Sequence, residues 1–158
     1  MAISLRTAVP ADRDAVVSLI RQLNEVEADL TGDRLRDHHA AGAYHEELLE
    51  RLAKRDGRVI LAEEDGEVLA AMGYVVQTDA AYVVESVREY AVVTDLVVDA
   101  RFRGRGIGQM LLREAERLAR EAGLKRLTIA ALVANERAER TYREFGFEPY
   151  VTVLVKAL

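Results

Sequence analysis

The chain has 158 residues, 50% of them hydrophobic and 31% charged, which predicts a single domain over residues 1–158 with a sizeable core. Its net charge of −5 argues against non-specific nucleic-acid binding, and no apolar run approaches the roughly 20 residues that span a bilayer, so we expect no nucleic-acid and no membrane partner. The absence of cysteine excludes disulfides and thiol catalysis, and with an N-terminus that lacks a signal-peptide pattern it predicts a cytoplasmic protein.

The first half of the chain predicts three strands and two helices. Apolar side chains recur at helical spacing after Pro10 and predict an amphipathic helix over residues 11–28. A second helical pattern runs from Tyr44 to Ala53. The predicted strands are residues 4–9, 59–62 and 68–77. The last two are joined by a turn at Asp65-Gly66 and should pair antiparallel.

The second half predicts a strand, helix, strand unit with a glycine-rich turn. Residues 82–99 end in a near-continuous apolar run, which favours a central strand, and the helix after the turn ends near Gly123. Residues 126–131 predict a second buried strand, which gives a right-handed crossover. A helix capped by Asn135 and a last strand over residues 150–155 complete the chain.

The glycine-rich turn Arg103-Gly104-Arg105-Gly106-Ile107-Gly108 has the composition of a pyrophosphate site. Its glycines allow close backbone approach to an anion, and a helix that starts there presents free N–H groups and a positive dipole end. Arg103 and Arg105 would add full charges. A dinucleotide fingerprint would need glycine at Gln109, and a P-loop would need Gly-Lys before Ser or Thr, so both are excluded.

The same hexamer resembles a signature of the GCN5-related N-acetyltransferase (GNAT) superfamily: Arg or Gln, two residues, Gly, one residue, then Gly or Ala. Residues 135–147 match a second family signature, Asn-x-x-Ala-x-x-x-Tyr followed by Gly-Phe. The resemblance covers essentially the whole chain. It implies an α/β (α+β mixed sheet) domain of the acyl-CoA N-acyltransferase fold, with the central sheet splayed between strands 4 and 5 and about four flanking helices.

The resemblance implies acetyl-CoA as the acetyl donor and assigns its site. A bulge in the fourth strand would free the N–H of Leu96 for the acetyl carbonyl, and Val97 and Val98 would hold pantetheine. Asn135 would contact the pantetheine amides. Tyr142 would be the general acid for the departing thiolate, because a phenol is protonated at neutral pH. The pyrophosphate would lie on the hexamer: Arg103, Gly104, Arg105, Gly106, Ile107 and Gly108.

The resemblance transfers no general base. Many relatives carry Glu-Asp where this chain has Thr94-Asp95, and strand alternation places Thr94 on the face of Leu96 and Asp95 on the opposite face. Glu85 and Glu89, expected on the same strand, could act through water. An acceptor amine that is already neutral would need no base.

Other ionisable residues precede the hairpin. His38, His39 and His45 lack a metal-ligand spacing, so we predict solvated loop histidines and no metal site, with a contact to the acceptor as the alternative. Five acidic residues could attract a cationic amine, although ordinary surface charge is the simpler interpretation: Glu25, Glu27, Asp29, Asp33 and Asp37.

The sequence therefore predicts an acetyl-CoA-dependent N-acetyltransferase that acts on the primary amine of a small molecule or peptide. With no cysteine and no serine-base motif, direct attack in a ternary complex is expected. Two alternatives are a non-catalytic acetyl-CoA-binding regulatory module and an interaction protein whose basic turn binds another phosphate ligand. The short apolar last strand is compatible with a homodimer. The acceptor and the length of the acyl group stay open.

Overall fold

The computed structural model describes residues 2–158, whose strands form one five-stranded mixed sheet in the order β1-β2-β3-β4-β5. The strands are β1 (Ser4–Thr7), β2 (Arg58–Glu64), β3 (Glu67–Thr78), β4 (Glu89–Val98) and β5 (Leu127–Ile129). The helices are α1 (Arg13–Thr31), α2 (His38–Ala53), α3 (Glu85–Arg88), α4 (Ile107–Glu121) and α5 (Glu136–Phe145). Strands β1 to β4 are antiparallel neighbours, and β5 runs parallel to β4.

The sheet has one hydrophobic core on each face. On one face α1 and α2 pack on the sheet through residues such as Val17 and Leu48. On the other face α4 contributes Leu111 and Leu112, and α5 packs Phe145 at the margin. The four long helices and the mixed sheet confirm the predicted fold class. Among residues 2–158, no helix is both long enough and apolar enough to cross a bilayer.

Helix α2 begins six residues earlier than its apolar pattern indicates. The Asp37 side chain accepts a hydrogen bond from the N–H of Ala40 at 2.9 Å and caps the helix. His38 and His39 therefore lie in the first helical turn, and His45 is buried in the same helix. The expectation that all three histidines are solvated loop residues is wrong, because a cap, and not the hydrophobic period, sets this boundary.

The strand expected over residues 82–99 is shorter than predicted. Residues Glu85–Arg88 form α3, and β4 starts only at Glu89. Glu85 is therefore not on the strand. The carbonyl of Arg88 accepts a hydrogen bond from the N–H of Asp79, which ends the ladder with β3 at this point.

The prediction of a last strand over residues 150–155 is wrong. The chain after α5 forms no strand in the described residues, and β5 has three residues where six were expected. Arg126 donates a hydrogen bond to the Tyr150 hydroxyl at 3.2 Å. Beyond it, apolar side chains such as Val153 and Val155 are exposed. A strand needs a ladder partner, and so short a β5 offers almost none.

Candidate active site

The sheet splits between β4 and β5. The two strands pair only from Ala91 opposite Leu127 to Val93 opposite Ile129. Strand β4 then continues for five residues, 94–98, with no strand paired on that side among residues 2–158. This confirms the predicted splay and leaves a free edge of β4 beside the terminal strand β5.

A bulge at Thr94 decides which peptide groups face the split. Asp95 pairs with Gly73 and Val93 with Tyr74, so Thr94 is the extra residue. Before the bulge, the N–H of Ala91 bonds across to the carbonyl of Arg126 near β5; after it, the N–H of Asp99 bonds back to Leu69 on β3.

Because ladder bonds alternate along a strand, the peptide groups of Leu96 and Val98 point into the split. Arg103 Nε donates a hydrogen bond to the Val98 carbonyl at 3.2 Å, which is consistent with this direction. The N–H of Val97 faces β3, so Val97 can contribute to the split only through other atoms.

The same bulge corrects the predicted direction of Thr94. A side chain at Gly73 would overlap Thr94 Oγ1 and would lie 3.6 Å from Asp95 Oδ2. The Thr94 and Asp95 side chains therefore share the face of Gly73, which is the face covered by α1 and α2. Strict alternation had placed Thr94 with Leu96, and it fails because a bulge interrupts the two-residue period. The Asp95 side chain lies on the face of the sheet opposite to that of Leu96, as expected.

The glycine-rich turn leads directly into α4. Gly106 is the N-cap with φ 75°, a left-handed conformation that favours glycine. The first helical bond runs from the Met110 N–H to the Gly106 carbonyl. The N–H groups of Ile107, Gly108 and Gln109 therefore have no intrahelical acceptor and form an anion-binding helix start.

Buried Asp99 fixes the beginning of this turn. It accepts hydrogen bonds from the Arg101 N–H at 2.9 Å and from Gln22 Nε2 at 3.1 Å, and Gln22 Oε1 accepts the N–H of Ala100. The hydrogen bond from the Arg101 side chain lowers the pKa of Asp99 to about 2. The acid is thus fully ionised at neutral pH. Sequence reasoning missed Gln22, whose position on a distant helix gave no signal.

A cleft of about 410 Å³ joins the split sheet to this helix start. Ten of the eleven residues predicted to bind acetyl-CoA line it: Leu96, Val97, Val98, Arg103, Gly104, Gly106, Ile107, Gly108, Asn135 and Tyr142. Arg105 does not, because its Nη2 contacts Glu64 on β2 at 2.9 Å. The contact of its side chain with a phosphate stays a prediction, since this ion pair is partly exposed.

Arg137 lines the cleft in its place and was missed by the sequence analysis. Burial, followed by the nearby charge of Arg137, lowers the pKa of Arg103. Two guanidinium groups thus converge on one cleft. A signal was present in the sequence: Arg137 lies in the first turn of the helix that Asn135 caps, where the dipole disfavours a cation. The same turn also carries Glu136 and Glu139, so this signal is weak.

Tyr142 on α5 lines the cleft, among Asn135, Ala138 and Thr141. Its ring packs edge-on against Phe147, with 6.1 Å between ring centroids. Burial, followed by the charges of Glu27 and Asp95, raises the pKa of its hydroxyl to about 12. The phenol is therefore protonated throughout the neutral range.

A second cavity of about 370 Å³ adjoins the first, and both are lined by Leu23. Its polar lining residues come from α1, the α1–α2 connection, α2 and β4: Asn24, Glu27, Asp33, Arg34, Tyr44 and Asp95. Two of the five candidate acidic residues, Glu27 and Asp33, thus line this cavity; Glu27 is half-buried, whereas Asp33 is exposed, as expected of a surface charge. Glu25 and Asp29 pair with Arg21 and Arg36, and Asp37 caps α2.

A mixed sheet split beside a glycine-rich helix start defines the acyl-CoA N-acyltransferase class of fold. Residues 22–147 match the Acetyltransferase (GNAT) family, and the chain belongs to this family.

Curated relatives carry N-acetyltransferase names. The chain is 30% identical over 154 residues to an aminoalkylphosphonate N-acetyltransferase of Salmonella typhimurium, covering 98% of this chain and 90% of that protein. It is 27% identical over 108 residues to a Bacillus subtilis protein named for N-acetylation of an alanine of ribosomal protein bS18. That match covers 68% of this chain and 62% of the relative, less than two thirds of the relative's length.

A similar solved structure shares the fold. A predicted acetyltransferase from Clostridium acetobutylicum, solved with acetyl-CoA, superposes with a TM-score of 0.71 at 17% identity. The superposition covers 99% of this chain and 96% of that one.

Proposed function

We propose that residues 1–158 act as one N-acetyltransferase domain that transfers the acetyl group of acetyl-CoA to the primary amine of a small molecule or peptide. The observation that carries this proposal is the pair of adjoining cavities that meet at Leu23. Donor and acceptor can then be bound together, and the amine can attack directly in a ternary complex.

The residues of the first cleft fit acetyl-CoA. The free N–H groups at the start of α4, with Arg103 and Arg137, match a pyrophosphate. The open edge at Leu96 and Val98 and the Asn135 amide match the amides of a pantetheine arm. Bound acetyl-CoA supplies a thioester carbonyl that an amine can attack. The acetyl-CoA complex of the Clostridium protein supports the same donor here.

Two residues would carry the chemistry at this carbonyl. The Leu96 N–H is held by β4, so it can stabilise negative charge that develops on the carbonyl oxygen without reorganising, an effect of typically about 3 kcal/mol per donor. Tyr142 would donate its phenol proton to the sulfur. Because its pKa of about 12 makes it a weaker acid than a thiol, the proton would move as the C–S bond breaks, not before.

The test is a thiol-release assay with acetyl-CoA and a panel of primary amines, preceded by calorimetric titration with acetyl-CoA. Binding with turnover of at least one amine would support the enzyme. Binding without turnover of any amine would favour the regulatory module. A folded protein that does not bind acetyl-CoA would favour another phosphate ligand.

Replacing the proposed acid should slow chemistry without weakening donor binding. In Tyr142→Phe we expect kcat to fall by about 100-fold, the lower end for loss of a general acid, while the affinity for acetyl-CoA changes little. Tyr90→Phe is the matched control, since Tyr90 is a partly buried tyrosine outside both cavities that donates a hydrogen bond to Gln77. Equal kcat values for the two variants would remove Tyr142 from the mechanism.

The exposed apolar chain after α5 also leads us to propose a homodimer in which residues 150–155 of the two copies pair with each other. Their exposed side chains include Val151, Val153 and Val155, which favour strands. Light scattering of the parent protein should give twice the mass of one chain. The double variant Val153→Asp with Val155→Asp should give the mass of a single chain. An unmodified chain of single mass would contradict the dimer. The cytoplasmic location stays a prediction.

A further inference from the structure

Asp95 differs from the other carboxylates of the second cavity in its partners. The other two carboxylates, Glu27 and Asp33, form ion pairs with Arg34. Its Nε lies 2.9 Å from Glu27 Oε2, and its Nη1 lies 2.7 Å from Asp33 Oδ1. Among the described residues no cation pairs with Asp95. Its hydrogen-bond partner is a neutral phenol, Tyr44, at 2.8 Å and 2.9 Å from the two carboxylate oxygens. The cavity thus contains one negative charge without a counter-ion.

Tyr44 holds this carboxylate in a fixed orientation. Arg51 Nη2 donates a hydrogen bond to the Tyr44 oxygen at 3.0 Å, so the phenol proton is left to point toward Asp95. Burial, followed by the charge of Asp95, raises the pKa of Tyr44 to about 12. Tyr44 therefore remains a donor over the working pH range, and the other lone pairs of Asp95 stay available to a ligand.

The location of Asp95 relates it to the reacting atoms. It immediately precedes Leu96 on β4, and its side chain is on the α1 and α2 face, where it lines the second cavity. Its charge also contributes to the raised pKa of Tyr142, which lines the first cleft. Asp95 thus lines the cavity that would admit an amine, and its charge acts on the proposed acid.

We propose that Asp95 binds the acceptor as an ammonium ion and accepts the proton that must leave before its nitrogen can attack, with Tyr44 as the positioning residue. This inference rests on the proposed function and deepens it. It implies that the acceptor is an alkylamine, which is protonated in neutral solution with a pKa near ~10, and not an arylamine.

The proton balance closes with residues already described. Asp95 takes one proton from the ammonium, and its protonated form later releases it to solvent through the second cavity. The nitrogen loses a second proton as the C–N bond forms and the C–S bond breaks. Tyr142 gives its phenol proton to the sulfur and regains the one lost by the nitrogen. The products are the amide, coenzyme A thiol and one proton in solution.

Other charged groups face Asp95 from each element around it. They are Glu27 on α1, Asp33 and Arg34 in the connection, Tyr44 and Arg51 on α2, and Tyr142 on α5. Glu27 and Asp33 are held by Arg34, and both tyrosines stay protonated, so Asp95 is the group free to exchange a proton with an ammonium ion.

The test is the pH dependence of kcat/KM for a primary alkylamine turned over by the parent protein. With an ionised acid and a protonated amine as reactants, the parent profile should be flat over roughly pH 5–9. Asp95→Asn should be at least 100-fold slower at pH 7 and should gain about tenfold per pH unit, because it can use only the neutral amine. An acetyl-CoA affinity equal to that of the parent would show that Asp95→Asn is folded. Asp95→Ser is a second replacement, for which we expect the same pH dependence.

Two further variants separate proton transfer from charge attraction. Glu27→Gln should raise KM for the amine and keep a flat profile. Tyr44→Phe should lower kcat/KM about tenfold and keep a flat profile, because Asp95 is still present and loses only the donor that orients it. A flat profile in Asp95→Asn, or a sloping one in Glu27→Gln, would overturn the inference. A parent with no amine turnover would instead contradict the proposed function.

Discussion

Gly106→Asp is expected to lower the affinity for acetyl-CoA by at least about 100-fold. The new carboxylate would stand at the N-cap of α4, where the free N–H groups of Ile107 and Gly108 face the proposed pyrophosphate position. Two like charges about 4 Å apart near a protein surface repel by ~4 kcal/mol, and each 1.4 kcal/mol is tenfold in affinity. Calorimetric titration with acetyl-CoA measures the loss.

Two matched variants isolate the charge. Gly106→Asn has nearly the same shape and tolerates the left-handed conformation, so it should lose much less affinity than the aspartate. Gly123→Asp places the same side chain at another left-handed glycine, φ 72°, at the opposite end of α4 with open space around it. It should bind like the parent. An affinity in Gly106→Asp equal to that of Gly123→Asp would mean that the turn does not hold the phosphates.

Gly73→Ala is expected to lose both stability and activity. A methyl group there would overlap Thr94 Oγ1, and Thr94 has a stiff side chain, so β4 would have to shift. Overpacking of this kind costs about 1–3 kcal/mol. The shift would also move Leu96 and Asp95, and a displacement near 1 Å can cost about 100-fold in rate. Urea denaturation and kcat/KM measure the two losses.

The double variant Gly73→Ala with Thr94→Ala tests whether the overlap with Thr94 Oγ1 causes both the loss of stability and the loss of activity. Thr94 Oγ1 is buried without a hydrogen-bond partner among the described residues, so removing it sacrifices no hydrogen bond. Thr94 Cβ would be 3.5 Å from the new methyl, which is ordinary contact. Thr94→Ala should therefore restore most of the stability and activity that Gly73→Ala loses. Additive losses in the double variant would show that the methyl is rejected by something other than Thr94.

The parts of the site that depend on backbone chemistry could be predicted from the sequence. Gly106 and Asn135 specify a helix start and a cap, and both lie in the cleft as expected. These assignments succeed because a left-handed turn and a side-chain cap each restrict residue type strongly.

The parts of the site that depend on tertiary packing could not be predicted from the sequence. The partner of Arg105 is Glu64, 41 residues away, and local sequence does not distinguish that ion pair from a phosphate contact. The bulge at Thr94 moves one side chain to the other face, which a regular period cannot anticipate. The β-forming residues after Tyr150 lack a neighbour in this chain, so propensity alone gave the wrong element.

The glycine-rich turn is tied to three other elements. Gln22 on α1 holds Asp99, Glu64 on β2 holds Arg105, and Glu67 on β3 holds Arg101. A free chain with three glycines in five residues would lose a large conformational entropy on closing around a ligand. Here these contacts form when the protein folds, so binding of the proposed donor would have less left to order. The side chains behind the turn thus make its most flexible residues behave as a rigid receptor.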